Sequence, residues 1–360
     1  MGSGLSTVVD CPEESTYNIT EADVPSLIFT PVDIAMAAYV IPIILCLGVI
    51  TNCTFLFMVF RVPKMRTDTN IYLSFLALAD LLYLHCTAVF KIWQYWATPL
   101  RDHQPFKSEV ELAALFIVTN AGYYASTLLV TMVSVERYLA LCHPIKHLKV
   151  RGRRRTYRFT AICWLVGIVL AGTILPRVVR LHVNCLLWPD NEKYDGFPSS
   201  MAYPGPANDW VWYLVVPLTN ITWLIVLIAN VYMDIRIIRA LSKRKTDHRA
   251  SRTRNQVAKM LVVNGAVFFI CQSTYPIIDL IYWISAVARL EHNLDEAIFL
   301  EWVFITLELL NTVVNPLIYG TMNAQYRTAF VQAFRCKRRK HKDRSVNSQS
   351  LATITETSTA

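Results

Sequence analysis

The sequence predicts an all-α membrane protein, and three observations support that fold class. Of its 360 residues, 54% are hydrophobic and 17% are charged, whereas an average soluble domain has roughly 25% charged residues. The mean hydropathy is +0.35. Seven stretches are apolar and long enough to cross a hydrocarbon core of about 30 Å, which requires about 20 helical residues. Because lipid cannot hydrogen-bond to the backbone of isolated strands, these stretches are expected to be helices.

The seven predicted spans form a seven-transmembrane helix bundle within residues 34–322, after an extracellular N-terminal tail of residues 1–33. In chain order the spans are Ile34–Phe60, Asn70–Trp93, Val110–Cys142, Phe159–Val179, Trp210–Ile238, Val257–Val287 and Glu296–Tyr319.

The distribution of Lys and Arg predicts the orientation of the bundle. If the N-terminus is extracellular, 27 of the 35 basic residues fall in cytosolic loops and the tail, 7 fall on the outer side, and Arg137 ends the third span. The positive-inside rule therefore predicts an extracellular N-terminus and a cytoplasmic C-terminus, as in a multi-pass plasma-membrane protein. Asn18-Ile19-Thr20 is a glycosylation sequon in the outer tail, with Asn18 as the acceptor.

The segment after the seventh span predicts a short amphipathic helix, residues 323–336, on the inner leaflet. Its apolar side chains Tyr326, Ala329, Phe330, Ala333 and Phe334 follow helical spacing. The following basic cluster is expected to contact anionic lipids, and Cys336 beside it is a candidate for palmitoylation. Residues 337–360 are polar and predicted to be a disordered cytoplasmic tail.

Two other classes of function find little support in the sequence. The net charge of +9 does not indicate nucleic-acid binding, because the basic residues lie in loops between apolar spans. No phosphate-binding loop or metalloprotease motif is present, so no enzyme activity and no cofactor are predicted. A transporter or channel remains an alternative, since Asp80 and Glu308 are acids within apolar spans.

A set of short motifs occurs in order along the spans. The first span contains Gly48–Asn52, the second Leu76–Leu81, the third ends in Glu136–Tyr138, and the seventh contains Asn315–Tyr319. Together with Trp164 in the fourth span, these motifs resemble the rhodopsin-like (class A) G-protein-coupled receptors, over roughly residues 34–334.

The resemblance implies a signalling mechanism at the cytosolic end, in which the sixth helix moves outward and a heterotrimeric G protein binds. Arrestin and receptor kinases are further implied partners, acting on serines and threonines of the tail. The residues implied in coupling and activation are Glu136, Arg137, Tyr138, Tyr232, Asn315, Pro316 and Tyr319. The resemblance also implies an ion pair between Glu136 and Arg137.

The resemblance also implies an allosteric sodium ion bound by Asp80, Ser126, Asn311 and Asn315. A protonated or water-bridged Asp80 is the alternative, because an unpaired carboxylate inside a membrane span is costly.

The sequence departs from the family pattern at several positions. Leu112 occupies the place of the usual cysteine of the third helix, so we expect Cys185 to pair with Cys11, with Cys86 as a competitor and a free Cys185 as the alternative. Gln272 replaces the buried tryptophan of the sixth helix. No acid is present at the inner end of that helix, so Arg137 is expected to be loosely restrained and the basal activity measurable.

The departures also limit the class of ligand. Thr119 and Leu309 stand where amine receptors have an aspartate and opsins a lysine. The residues predicted to line a ligand pocket are Thr119, Asn120, Tyr123, Gln272, Tyr275, Asp279, Tyr282, Glu301, Ile305 and Glu308. Aromatic rings with several acids favour a cationic ligand. The run Arg66–Leu73 is similar to the neuropeptide receptors for thyrotropin-releasing hormone, ghrelin and FMRFamide.

We therefore predict a receptor for a basic or C-terminally amidated neuropeptide. The alternatives are the transporter or channel, and a constitutively active or orphan receptor without a peptide ligand.

Overall fold

The computed structural model describes residues 15–150, 152–243, 249–290 and 294–335. Seven helices in these ranges are long and apolar enough to cross a membrane, which confirms the predicted bundle. They are Pro31–Arg61, Asp68–Ala97, Glu109–Cys142, Arg153–Arg177, Asp209–Ser242, Asn255–Ala288 and Phe299–Met322, and we number them one to seven. An eighth helix, Ala324–Phe334, follows, and a short helix, Val24–Leu27, precedes the first.

The helices extend beyond the apolar stretches because backbone hydrogen bonding continues past the hydrocarbon core. The fourth helix begins at Arg153, whereas the sequence predicted Phe159, since long basic side chains can extend to the interface. Side-chain caps fix other starts: the hydroxyls of Thr67 and Ser108 accept hydrogen bonds from the backbone N–H groups of Asn70 and Glu111.

Proline shapes the first and sixth helices. A π-helical turn, Met36–Val40, precedes Pro42 in the first helix. The sixth consists of two helical pieces, Arg249–Gln272 and Thr274–Ala288, which meet at Ser273. Pro276 has no N–H to donate to the carbonyl group of Gln272, so the regular ladder is interrupted there. The outer piece can therefore take its own direction.

A three-stranded sheet covers one end of the bundle, which we call the N-terminal face; the opposite end is the C-terminal face. Strand β1 (Thr16–Asn18) pairs in parallel with β2 (Arg180–Leu187), and β2 pairs antiparallel with β3 (Ser200–Gly205). The sheet is an addition to the predicted all-α fold, and it holds the N-terminal segment against the loop between helices four and five.

The connection between β2 and β3 has its own aromatic core. The ring of Trp188 stacks on that of Tyr194 at 5.7 Å and meets Phe197 edge to face at 5.1 Å. The Tyr194 hydroxyl donates a 2.5 Å hydrogen bond to Glu21, and this bond raises the pKa of Tyr194. The N-terminal segment is thus attached to this loop through side chains as well as through β1.

The first helix is joined to the seventh near the N-terminal face. Thr30 and Asp33 form a reciprocal capping box at the start of the first helix. Asp33 also accepts a 2.6 Å hydrogen bond from the indole Nε1 of Trp302. Because Asp33 is fully buried, this bond satisfies a carboxylate that would otherwise be costly.

Glycines allow close packing around the third helix. A Cβ atom at Gly167 would lie 3.0 Å from the backbone nitrogen of Ala125, and one at Gly122 would lie 3.2 Å from the carbonyl oxygen of Ala79. Small residues let membrane helices approach closely, which increases their packing attraction. The third helix consequently lies between the second and the fourth.

The largest apolar cluster lies in the half of the bundle nearer the C-terminal face. Its fully buried members include Leu76, Leu129, Phe268 and Tyr319. The eighth helix adds Tyr326, whose ring stacks on Phe55 at 6.3 Å. This face therefore has a continuous core, whereas the other half contains a cavity.

Candidate ligand cavity and signalling residues

A cavity of about 430 Å³ lies between the helices, towards the N-terminal face. Aromatic side chains dominate its walls: Tyr83, Phe90, Phe106, Phe116, Tyr123, Tyr124, Trp223 and Tyr275. Its volume lies within the range of about 300–1,000 Å³ that is typical of ligand pockets. Gln104 and Pro204, from the segments at this face, form part of its outer wall.

Six of the ten predicted pocket residues line this cavity: Thr119, Asn120, Tyr123, Tyr275, Asp279 and Glu308. The other four lie outside its lining. Gln272 is buried in the sixth helix, Ile305 packs in the cluster around Leu309, and Tyr282 is half-buried further along the sixth helix. Glu301 lines a separate small recess with Asp33 and Trp302. Four of the ten predicted residues therefore do not line the cavity.

An ion pair crosses one side of the cavity. Nη1 of Arg177, at the end of the fourth helix, lies 2.7 Å from Oδ2 of Asp279 in the sixth helix, and Nη2 bonds to the other carboxylate oxygen. The side chains are 18% and 8% exposed. Such a two-pronged bond neutralises Asp279, which the sequence had assigned to the ligand.

The two other predicted acids have different partners. Glu301 is 3.0 Å from Nζ of Lys91, which also lies over the ring of Trp302 at 5.7 Å. Glu308 accepts a 2.5 Å hydrogen bond from the Tyr83 hydroxyl. Within the described part of the chain, Glu301 and Asp279 thus have a basic partner, and Glu308 has a phenol.

Arg177, Lys91 and Tyr83, the partners of the three acids, were not predicted as site residues from the sequence. The two basic residues were counted as loop charges because they lie at the ends of predicted spans. Their partners, Asp279 and Glu301, are 102 and 210 residues away along the chain. Tyr83 lies three residues after Asp80, and this one-turn spacing could have placed it at the depth of the acids.

Three of the four predicted sodium-site residues, Asp80, Ser126 and Asn315, are joined by hydrogen bonds in the core. Asp80 is 1% exposed and accepts hydrogen bonds from Ser126 at 2.8 Å and from the Asn315 side chain at 2.7 Å. The side-chain nitrogen and oxygen of Asn311 are buried without a hydrogen-bond partner in the described residues. An unpaired amide oxygen in the same core is a suitable ligand for a small cation.

Arg137 lies at the C-terminal face and has two polar partners there. Its Nη2 is 3.3 Å from Oε2 of Glu136, so the ion pair that the resemblance implied is present. Thr69 accepts a hydrogen bond from Arg137 and donates one of 2.8 Å to Glu136. The second helix thus supplies a hydroxyl that joins the two charges. The expectations of a loosely restrained Arg137 and of measurable basal activity remain predictions.

The structure does not bring the other coupling residues to Arg137. Tyr319 packs against Phe55 at 5.4 Å, and Tyr232 is 51% exposed, with its ring 6.3 Å from that of Tyr138. Pro316 lies inside the seventh helix, next to Asn315. Among the described residues, the hydrogen-bond and ion-pair partners of Arg137 therefore lie on the second and third helices.

The predicted modification sites lie partly outside the described residues. Cys185 is disulfide-bonded, and the six other described cysteines are free. Cys11 and Cys336 lie outside the described residues, so the Cys11–Cys185 pairing and the palmitoylation remain predictions. Asn18 is exposed on β1, at the edge of the sheet.

Comparison with known proteins shows the class of protein that this fold and these sites define. The sequence matches the 7 transmembrane receptor (rhodopsin family) over residues 51–319, well over half of the chain. The chain belongs to this family, as its motifs predicted. It is therefore a receptor in the plasma membrane, not an enzyme, and the family decides against the transporter or channel alternative.

Individual relatives resemble the chain over most of its length. Neuromedin-U receptor 2 of Rattus norvegicus is 29% identical over 354 residues, which cover 91% of this chain and 82% of the relative. Lysophosphatidic acid receptor 4 of Mus musculus is 29% identical over 284 residues, 77% and 71% of the two chains. Growth hormone secretagogue receptor type 1 of Sus scrofa is 27% identical over 295 residues, 78% and 76% of the two chains.

Proposed function

We propose that the chain is a G-protein-coupled receptor for an extracellular peptide with a basic group or a C-terminal amide. The main support for this ligand class is the cavity of about 430 Å³, whose walls contain aromatic and acidic side chains. Rings and carboxylates attract cations and amide N–H donors. Relatives named for neuromedin U and for growth hormone secretagogues favour a peptide.

A lysophospholipid is the second candidate, because one relative is named for lysophosphatidic acid. A phosphate group needs a basic partner that is not already neutralised. The two basic residues that line the cavity, Arg177 and Lys91, each contact a carboxylate. The peptide is therefore the better-supported ligand.

The positive-inside rule supports an extracellular N-terminal face and a cytosolic C-terminal face. In this orientation the exposed Asn18 would receive a glycan in the secretory pathway. The pairing of Thr16 with Cys185 in the sheet brings the N-terminal segment beside the disulfide-bonded cysteine, which supports Cys11 as its partner. The disulfide would then hold the segment over the cavity.

On the cytosolic side, activation would release Arg137 from Glu136 and Thr69, so that it can bind the G protein. A ligand drives such a change only through a higher affinity for the active conformation. The interruption at Ser273 gives the sixth helix a place to bend outward. Arrestin, receptor kinases and anionic lipids would act on the basic and phosphorylatable tail, which lies outside the described residues.

A sodium ion would bind Asp80 with Ser126, Asn311 and Asn315. The buried, unpaired oxygen of Asn311 supports this assignment. The carboxylate of Asp80 would supply the compensating charge, and the ion would lower the cost of burying that charge.

A ligand screen tests the proposal. Cells expressing the chain are exposed to peptides in matched pairs with an amidated or a free C-terminus and with basic residues or neutral replacements, and calcium and cyclic AMP are recorded. We expect responses that are lost without the amide or the basic residue. Responses to lysophosphatidic acid alone, or to no ligand of either class, would contradict the proposal.

A further inference from the structure

We infer that Glu308 is the anchor for one basic group of the ligand and that the other two predicted acids are not. This inference rests on the proposed peptide-receptor function and specifies the chemistry of its site. It assigns the ligand a single cation that reaches the inner part of the cavity, with aromatic or apolar groups around it.

The charged residues at the cavity differ in whether they have a partner of opposite charge. Four charged residues line it: Lys91, Arg177, Asp279 and Glu308. Arg177 donates to Asp279 through both terminal guanidinium nitrogens, and Nζ of Lys91 is 3.0 Å from Glu301, which lies outside the lining. Among the described residues, Glu308 is thus the carboxylate in the lining that has no basic partner.

The position of Glu308 suits an anchor for the end of a ligand. It lies in the seventh helix, seven residues before Asn315, which corresponds to about 10 Å along the axis at 1.5 Å per residue. Its hydrogen-bond donor Tyr83 is one helical turn from Asp80. Glu308 therefore lies in the inner part of the cavity, on the N-terminal-face side of the Asp80 cluster.

Aromatic rings near Glu308 also favour the binding of a cation beside it. The ring of Tyr83 lies 6.1 Å from that of Tyr123, which meets Tyr124 edge to face at 5.2 Å. These rings offer faces to which ammonium and guanidinium groups bind. Glu308 is 7% exposed, and a membrane-buried carboxylate without a counter-charge is costly. A bound cation would offset this cost, which adds to the affinity.

The same arrangement disfavours an anionic ligand. A phosphate or a free carboxylate in the inner part of the cavity would face Glu308. To bind Arg177, such an anionic group would have to displace Asp279 from its two hydrogen bonds to the guanidinium group. Both events cost free energy, so the ligand group near Glu308 is basic.

Two synthetic dipeptide amides probe this site without knowledge of the natural ligand. N-acetyl-phenylalanyl-arginine amide has one ring and one charge, on its guanidinium side chain; N-acetyl-phenylalanyl-citrulline amide has nearly the same shape and no charge. Binding is measured on the purified full-length receptor by the rise in its thermal unfolding temperature over a concentration series.

Three receptors are compared with wild type: Glu308→Gln, Glu308→Asp and the matched control Glu109→Gln. Glu109 begins the third helix at the same face, is 46% exposed and does not line the cavity. Unfolding temperatures without probe and surface expression establish that each variant folds.

We expect the arginine probe to bind wild type, Glu109→Gln and, more weakly, Glu308→Asp. Its affinity for Glu308→Gln should fall about 30-fold or more, because a buried charge pair broken on one side loses roughly 2 kcal/mol or more. The citrulline probe should bind wild type and Glu308→Gln equally weakly. No binding of the arginine probe to wild type, or equal binding to Glu308→Gln, would overturn the inference.

The ligand screen and the probe experiment test different statements, so the proposed function and the Glu308 anchor can be refuted independently. If the probe requires Glu308 but no peptide elicits signalling, the proposed function fails and the cation site stands. If peptides signal with equal potency through wild type and Glu308→Gln, the receptor function stands and the anchor is refuted.

Discussion

The ion pair between Arg177 and Asp279 should be a major support of the outer half of the sixth helix. Both side chains are largely buried, at 18% and 8% exposure. Removing one partner of a buried pair leaves an uncompensated charge, which typically costs about 3–5 kcal/mol. We expect a cost near the lower end, about 3 kcal/mol, for Arg177→Gln or Asp279→Asn, because Arg177 keeps some contact with solvent.

The double variant Arg177→Gln/Asp279→Asn separates the charge from the packing. It leaves no unpaired charge, so its loss of stability should be clearly smaller than the sum of the two single losses. Residues in direct contact show such non-additivity, typically by about 0.5–3 kcal/mol. Thermal unfolding of the purified full-length receptor in detergent, followed by tryptophan fluorescence, gives the four stabilities on one scale.

The pair Lys91–Glu301 is the matched control at the same face. Its side chains are 22% and 52% exposed, and exposed pairs contribute about 0–1 kcal/mol. Lys91→Gln and Glu301→Gln should therefore lower the unfolding temperature much less than the buried pair does. Equal effects in the two pairs, or additive single losses for Arg177 and Asp279, would refute the reasoning.

Three further predictions concern other parts of the molecule. Thr69→Val removes the hydroxyl that joins Glu136 to Arg137, so basal G-protein nucleotide exchange should rise; an unchanged rate would show that the hydroxyl restrains nothing. Asn18→Gln should abolish the shift in electrophoretic mobility that glycosidase causes, and a shift that persists would place the glycan elsewhere. Burial lowers the pKa of His103 below its ordinary value of 6.5, and its Nδ1 accepts a hydrogen bond from the Ala202 N–H. The folded loop therefore binds fewer protons than the unfolded one, so its stability is present above about pH 6.5 and falls as the pH drops below it. Hydrogen exchange of the Ala202 amide, corrected for intrinsic rates, should quicken between neutral pH and about pH 5, and a constant protection factor would contradict this.

The sequence predicted the membrane spans well because apolarity is a local property. Asp209–Ser242 and Glu109–Cys142 differ from the predicted spans by at most four residues at either end. The sheet could not be predicted in this way, since β1 pairs with a strand more than 160 residues later. Its strands are short and lie in segments that read as loops.

The acids of the candidate site were found from the sequence, but their state was not. Asp279, Glu301 and Glu308 were all assigned to the ligand pocket, without any sign of which of them has a basic partner. Arg177 and Lys91 make them different, and which acid each basic residue reaches depends on how the helices pack. A pattern along one helix does not contain that information.

The residues at the C-terminal face show the same limit of sequence-based prediction. The sequence correctly paired Glu136 with Arg137 through the family resemblance, but not through spacing, because adjacent helical residues do not face each other. Thr69 was not among the predicted residues, although it links both charges. It lies on the second helix, and contacts between helices are not visible in a single span.

The central claim is that this chain couples a ligand at the N-terminal face to a G protein at Arg137. The most direct measurement is nucleotide exchange on a purified heterotrimeric G protein, driven by the most potent peptide from the screen. Wild type, Arg137→Ala and the control Arg61→Ala, an exposed arginine at the end of the first helix, are compared at equal surface expression. Arg137→Ala should bind the peptide but lose the stimulated exchange, while Arg61→Ala keeps it. Full stimulation through Arg137→Ala would contradict the account.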